Sequence, residues 1–173
     1  MTMRSSKDSP LDRWQRLPDD EAVAQLLTFC ASRRWATELI SNYTYSGEEA
    51  LLREAESVWF SLPDSDWLEA FAAHPRIGEN KAPTTAYLAS SETEQSAAQQ
   101  TLEPVAEALL KGNRAYEKKF GFRYIVFASG RTAPELLAVL EDRLTHTREE
   151  ELHEAARQQF LITRLRMTKW LRA

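Results

Sequence analysis

The sequence predicts an all-α protein, organised as a single compact multi-helix domain with one short extended segment near residues 124–128. Apolar residues recur at three- and four-residue spacings along most of the chain, and only 124–128 is a β-branched and aromatic run typical of a strand. The 173 residues, 43% of them hydrophobic, suit one domain with a substantial core. We expect residues 1–17 to form a flexible N-terminal tail and residues 18–173 to form the helical domain.

Charge and cysteine content narrow the possible partners and compartments. The net charge of −4 gives no electrostatic reason to expect nucleic acid. No stretch has the apolar length of a membrane span or of a signal peptide. Cys30 is the only cysteine, which fits a reducing compartment, and its apolar neighbours place it in the core. We therefore expect a cytoplasmic protein that binds neither nucleic acid nor membrane.

Four helices are predicted in the first part of the chain. The first begins near Pro18, and the second contains the apolar side chain of Trp35. The third begins after Ser46 with acidic residues in its first turn, which favour a helix start. The fourth follows Pro63, and its apolar stripe continues to His74.

A long loop and two further helices are predicted next. Residues 78–90 lack helical periodicity and form a loop longer than a plain connection needs. Ser91 and Glu94 have the spacing of a capping box, which predicts a helix start. Pro104 is expected in the first turn of a separate helix, which Gly121 ends.

The extended segment 124–128 has no partner strand in the sequence. Its buried backbone groups need hydrogen-bond partners, which loops and helix ends can supply, or which a ligand rich in amide groups can supply. Both interpretations are open at this point. Thr132 opens the helix after the segment, and the last long helix begins near Arg148.

His74 is the first candidate for catalysis. Pro75 cannot continue the helix, and the apolar stripe that begins at Trp67 directs the imidazole towards the interior. Carbonyl groups at a helix C-terminus favour the imidazolium, so the ring is placed to hold and transfer a proton. The alternative is a half-buried structural histidine bonded to a carbonyl.

Glu94 is the second candidate. If the loop 78–90 brings it to His74, its carboxylate can orient the imidazole for general acid–base catalysis, and such a pair needs no metal. Capping alone also explains Glu94. Ser91 and Gln95 are equally ambiguous, because a cap and an exposed polar helix residue need no further role.

The histidines around the start of the last helix offer a possible metal site, which their surroundings disfavour. His146, Glu149, Glu150 and His153 have helical spacings that could bind a metal, but the surrounding acidic and basic residues are typical of a solvated helix start. We therefore expect no metal. The five glycines form no Gly-rich loop, which argues against a nucleotide-binding motif.

Three motifs resemble those of a known family. HPRIG at residues 74–78, SETEQ at 91–95 and NRAYEKKFGFRYIVFASGR at 113–131 are similar to motifs of the OHCU decarboxylases of urate degradation. The resemblance implies a lyase without cofactor or metal whose small-molecule substrate is 2-oxo-4-hydroxy-4-carboxy-5-ureidoimidazoline, converted to (S)-allantoin and CO2. Members of the family are commonly dimeric, so the resemblance also implies a homodimer.

The resemblance assigns roles to individual residues. His74 matches the catalytic histidine, and Glu94 matches the position that would orient it. The positions that match substrate contacts are Pro75, Ser91, Gln95, Tyr124, Ile125, Val126, Phe127, Ala128 and Arg131. The segment 124–128 would meet the substrate largely through its backbone, and a guanidinium at 131 suits an anionic or ureido group.

These assignments suggest a mechanism and leave two alternatives. The imine-containing ring would accept the electrons left by CO2, and His74 would control proton transfer from one face. The first alternative is a catalytically silent helical module that binds a ureide or purine-like ligand. The second is a metal-dependent hydrolase that uses the three histidines.

Overall fold

The computed structural model describes residues 8–41, 44–76 and 92–173, and in the last range it describes side chains from residue 103 onward. These ranges are mainly helical and contain no strand, so the predicted all-α class is confirmed. The helices found in them are α1 (Pro10–Trp14), α2 (Asp19–Leu27), α3 (Arg33–Ser41), α4 (Glu48–Ser61), α5 (Asp64–Ala72), α6 (Glu92–Phe120), α7 (Ala133–Arg143) and α8 (Arg148–Leu171).

The chain divides into two compact units. One unit comprises the described residues up to Ala70 together with Gln159–Ala173, and the other comprises Phe71–Gln158. Helices α5 and α8 contribute residues to both units. No helix in the described ranges is long and apolar enough to cross a membrane.

Helices α2, α3 and α4 form the core of the first unit. Their apolar faces bury Leu26, Trp35 and Trp59. The indole N–H of Trp35 donates to the carbonyl of Ala55 at 2.9 Å, which satisfies the one polar group of this buried ring. The predicted core position of Cys30 is confirmed, because the residue is 1% exposed and burial raises the pKa of its thiol to about 12.

Helix α1 lies inside the range 1–17, for which the sequence predicts a tail. Ser9 and Asp12 form a capping box, with the Ser9 hydroxyl accepting from the Asp12 N–H at 3.1 Å. Trp14 is buried, and its indole N–H donates to the carbonyl of Ala22 at 3.1 Å. The packed part of the chain therefore begins before residue 18, because the indole of Trp14 is buried in the first unit and has a hydrogen-bond acceptor there.

Helix α6 runs through Pro104, where the sequence predicts the start of a separate helix. The 29 residues form one helix with this proline inside it, so the prediction of two helices is wrong. Proline removes one N–H donor, but the segments on both sides form helix and join across that missing bond. Gly121 ends the helix as predicted, with φ 81° and its N–H donating to the carbonyl of Glu117 at 2.9 Å.

Helix α7 packs against α6 in the second unit. The contact is close at Gly112, where an added Cβ would lie 2.5 Å from Cδ2 of Leu140. The predicted start of α7 is confirmed by a capping box, in which the N–H of Thr132 donates to the carboxylate of Glu135 at 2.7 Å.

Aromatic rings connect the end of α5 with the segment that follows α6. The ring centroids of Phe71 and Phe122 are 5.7 Å apart. Tyr116 lies 5.8 Å from Phe122 and 5.2 Å from Tyr124, in edge-on orientations that favour aromatic pairs. This cluster places residues 74–76 beside the start of the predicted substrate-contacting segment.

Candidate active site

His74 lies two residues beyond the end of α5 and is half-buried. Its N–H donates to the carbonyl of Phe71 at 3.2 Å. The next residue, Pro75, is exposed and has no N–H with which to extend the helix. His74 therefore stands just past the helix end, as the sequence predicts, and its role in proton transfer stays a prediction.

The carbonyl of His74 accepts a hydrogen bond from the guanidinium of Arg123. Arg123 directly precedes Tyr124, the first residue of the segment 124–128. A single side chain thus connects the backbone of the candidate catalytic histidine with the candidate substrate-contacting segment.

Arg76 forms a two-bond ion pair with Glu117 of α6. Its Nε lies 2.6 Å from Oε1 and its Nη2 lies 2.9 Å from Oε2. The hydrogen bond from Arg76 lowers the pKa of the Glu117 carboxyl, and the positive charge of Arg123 lowers it further. The stretch 74–76 is therefore held at both ends, by its first carbonyl and by its last side chain.

Side chains from α7 and α8 bind the backbone of the extended segment. Nη1 of Arg143 donates to the carbonyl of Ile125 at 2.6 Å, and the N–H of Phe127 donates to Oε1 of Gln158 at 2.8 Å. Val126, which is 5% exposed, has no backbone hydrogen bond to any residue that the structure describes. Helix side chains thus satisfy part of this backbone.

The Arg143 side chain belongs to a buried ion pair. Arg143 is 3% exposed and Glu151 is 0% exposed, and Nη2 lies 2.8 Å from Oε2. The hydroxyl of Tyr116 also donates to Glu151. The guanidinium carbon lies 4.8 Å from the centre of the Tyr124 ring, and burial raises the pKa of that tyrosine to about 12. The segment 124–128 is therefore bound to a buried ion pair, and its first residue, Tyr124, is protonated.

The imidazole of His146 contacts the carboxylate of the same Glu151. Its Nδ1 lies 2.7 Å from Oε1 of Glu151. Glu150 caps the start of α8 by accepting the N–H of Thr147 at 2.8 Å. In the part of the chain that the structure describes, no three histidine, cysteine or acidic side chains are grouped as metal ligands.

Arg131 lies in the turn that follows the segment. Its N–H donates to the carbonyl of Ala128 at 3.1 Å, and Gly130 supplies the positive φ of 77° that this turn requires. The side chain of Arg131 is half-buried.

The remaining predicted residues belong to the stretch around the start of α6. Ser91 lies outside the described residues. The backbone at Glu94 and Gln95 is helical, but their side chains are outside the described part. Their predicted contacts with His74 and with substrate stay predictions.

Several residues that support this site, Arg76 among them, were not predicted from the sequence. Arg123 and Glu117 lie within the longest motif, so the resemblance pointed to their stretch without assigning them a role. Arg143 and Gln158 reach backbone groups 18 and 31 positions away along the chain, and no local spacing indicates such contacts.

Comparison with known proteins identifies the family. The sequence model of the family described as OHCU decarboxylase matches residues 15–168. The chain is 39% identical over 144 residues to the uric acid degradation bifunctional protein TTL of Arabidopsis thaliana, covering 81% of this chain and 44% of that relative. It is 24% identical over 164 residues to 2-oxo-4-hydroxy-4-carboxy-5-ureidoimidazoline decarboxylase of Haloferax volcanii, covering 92% of this chain and 94% of that one.

Solved structures agree with the sequence relatives. The crystal structure of OHCU decarboxylase in the presence of (S)-allantoin superposes with a TM-score of 0.71 and 33% identity, covering 86% of this chain and 98% of that chain. The structure of (S)-allantoin synthase, 19% identical, has the same fold with a TM-score of 0.69, covering 93% of this chain and 54% of that chain. The chain thus spans less than half the length of the plant relative and nearly all of the solved decarboxylase. It belongs to the OHCU decarboxylase family.

Proposed function

We propose that this chain decarboxylates 2-oxo-4-hydroxy-4-carboxy-5-ureidoimidazoline to (S)-allantoin and CO2, without a cofactor. In this proposal His74 transfers the proton, Glu94 orients its imidazole, and the segment 124–128 holds the substrate. The observation that carries the proposal is the bond from Arg123 to the His74 carbonyl, because it sets the histidine beside that segment.

The backbone of Val126 supports the binding of a ureide. An amide or urea group carries both N–H donors and a carbonyl acceptor, and a buried backbone N–H and carbonyl complement it. Arg143 binds the carbonyl of Ile125, and Gln158 accepts the N–H of Phe127. Within the described residues, the backbone of Val126 is left for the ligand. We assign it to the ureido or ring amide groups, with Pro75, Ser91, Gln95 and Arg131 as further substrate contacts.

The ring of the substrate can itself accept the electrons that CO2 leaves behind, so the enzyme mainly has to control the transfer of protons. The bond from the ring carbon to the carboxylate breaks, its electron pair forms a C=C bond to the adjacent ring carbon, and the pair of the C=N bond moves to the nitrogen, which takes up a proton. The hydroxyl of the resulting enol then loses its proton as the carbonyl forms, and the adjacent ring carbon gains a proton. His74 is assigned to this transfer, and delivery from one face gives the S configuration.

A coupled assay tests the proposal. Urate oxidase and hydroxyisourate hydrolase generate the substrate from urate, this protein is added, and optical activity and CO2 release are followed. We expect rapid formation of (S)-allantoin. His74→Ala and His74→Asn are expected to abolish the enzymatic rate and retain the wild-type circular dichroism spectrum, because His74 is half-buried and lies outside the helices.

His153→Ala is the matched control, since His153 is an exposed histidine in α8. It is expected to keep the wild-type rate. If the wild-type protein gives no more than slow, racemic formation of allantoin, the proposed decarboxylase activity is rejected. Binding of (S)-allantoin without turnover would then favour the silent binding module. Normal turnover by a folded His74 variant would reject the assignment of that residue alone.

The oligomeric state and compartment belong to the same proposal. We infer a homodimer from the family resemblance. We infer a cytoplasmic location from the single, buried cysteine, which fits a reducing compartment. Light scattering coupled to size-exclusion chromatography tests the dimer, and a monomer at micromolar concentration would overturn it.

A further inference from the structure

The local sequence does not fix the backbone of His74. Helix α5 ends at Ala72, so the bond from the His74 N–H to Phe71 is the last that the helix supplies. Pro75 has no N–H and disfavours helical geometry in the residue before it. A contact from elsewhere in the chain can therefore set the position of this backbone, and with it the position of the imidazole.

Arg123 supplies that contact, and the residues on either side of it are buried. Phe122 and Tyr124, its neighbours on either side, are 7% and 3% exposed and pack in the aromatic cluster of the second unit. Arg123 itself is only partly buried, and its guanidinium reaches the carbonyl of His74. The buried rings of Phe122 and Tyr124 fix the backbone on both sides of Arg123. The bond from Arg123 to the His74 carbonyl therefore fixes the histidine relative to the segment 124–128.

A second contact holds the other side of Pro75. Arg76 binds the carboxylate of Glu117 with two hydrogen bonds of 2.6 and 2.9 Å. The positive charge of Arg123 also lowers the pKa of this carboxyl. One carboxylate thus interacts favourably with two guanidinium groups. The stretch 74–76 is held at two points, on a helix and on the extended segment.

We propose that Arg123 is a positioning residue, which sets the imidazole of His74 relative to substrate bound on the segment 124–128, with the Arg76–Glu117 pair as the second anchor. This inference rests on the proposed function for its effect on catalysis. A displacement of about 1 Å at a reacting group can lower a rate on the order of a hundredfold. Loss of the Arg123 bond should therefore reduce kcat far more than it changes KM.

The first test is steady-state kinetics of Arg123→Ala with and without added guanidinium ion. We expect kcat to fall between about tenfold and a hundredfold, with KM within roughly threefold of wild type, and guanidinium at millimolar concentration to restore part of kcat. Arg114→Ala is the matched control, because Arg114 is an exposed arginine of α6. It should show neither the loss nor the rescue. A folded Arg123→Ala protein with wild-type kcat, or with a loss that guanidinium does not restore, would overturn the proposal.

The second test does not depend on turnover. The chain has three histidines, His74, His146 and His153, so each imidazole can be assigned in a nitrogen–proton correlation spectrum. Arg123→Ala is expected to shift the imidazole signals of His74 and to leave those of the other two unchanged, and Arg114→Ala should shift none. Unchanged His74 signals would overturn the positioning role even if the wild-type protein lacked decarboxylase activity. Absence of wild-type turnover with a shifted His74 would reject the proposed function and retain the positioning role.

Discussion

The guanidinium of Arg143 donates to the carbonyl of Ile125 at 2.6 Å, although the two residues are 18 positions apart. The same guanidinium is paired with Glu151 in the interior of the second unit. The backbone of the candidate substrate-contacting segment is therefore attached to a buried charge whose position is itself fixed. Stability and substrate binding should consequently respond together to changes in this ion pair.

Glu151→Gln should destabilise the protein strongly. The substitution leaves the guanidinium of Arg143 buried without a countercharge, which costs about 3–5 kcal/mol. Urea unfolding at neutral pH measures the loss. Glu38→Gln is the control, since the pair between Arg34 and Glu38 is 58% and 43% exposed and should contribute less than about 1 kcal/mol. Equal losses for the two variants would contradict the argument from burial.

Gln158→Met should weaken the support of the extended segment. The change removes the acceptor for the N–H of Phe127, and a buried unpaired N–H costs about 1–3 kcal/mol. We expect a corresponding loss in the free energy of unfolding and a severalfold rise in KM. Gln25→Met in α2 of the first unit is the control, and it should alter neither quantity. A Gln158→Met enzyme with wild-type stability and KM would show that the bond is dispensable.

The contribution of Glu117 should depend on pH. Its pKa in the folded protein is below the usual value of 4.5, chiefly because Arg76 binds its carboxylate. A lowered folded pKa means that the stabilisation is complete above about pH 4.5 and is lost as the pH falls through the folded pKa. Wild type should therefore exceed Glu117→Gln in unfolding free energy by about 1 kcal/mol at pH 7.

Urea unfolding of wild type and Glu117→Gln between pH 7 and pH 3 measures this dependence. The difference between the two proteins should shrink on acidification. A difference that stays constant across this range would mean that the ionised carboxylate does not stabilise the fold.

Gly112→Ala should destabilise the contact between α6 and α7. The new methyl group would lie 2.5 Å from Cδ2 and 3.2 Å from Cγ of Leu140, which is fully buried and has little room to move. Overpacking of this kind costs about 1–3 kcal/mol, and the gain in helix propensity returns up to about 1 kcal/mol. We expect a net loss of about 1 kcal/mol in thermal or urea unfolding. Lys111→Ala, at an exposed position one residue earlier, should cause no loss; a more stable Gly112→Ala protein would refute the steric argument.

The sequence predicted the elements whose causes are local. Thr132 and Glu135 cap a helix because they are three residues apart, and Gly121 ends one because glycine adopts positive φ at little cost. The periodic apolar residues likewise predicted the all-α class. The same local reasoning was wrong at Pro104, where α6 continues, and it did not predict α1, in which Trp14 is buried. In both cases contacts or neighbouring turns outweighed the local preference.

The sequence by itself therefore determined most of the helices, several of their ends, the position of His74 after α5 and, through its motifs, the family. Only the tertiary structure decided which side chains hold the candidate site. Arg76 meets Glu117 across 41 positions, and Arg123 meets His74 across 49. Local preferences act over about four residues, whereas these pairs form because packing brings distant parts of the second unit together. The partners of His74 are for that reason a property of the folded chain.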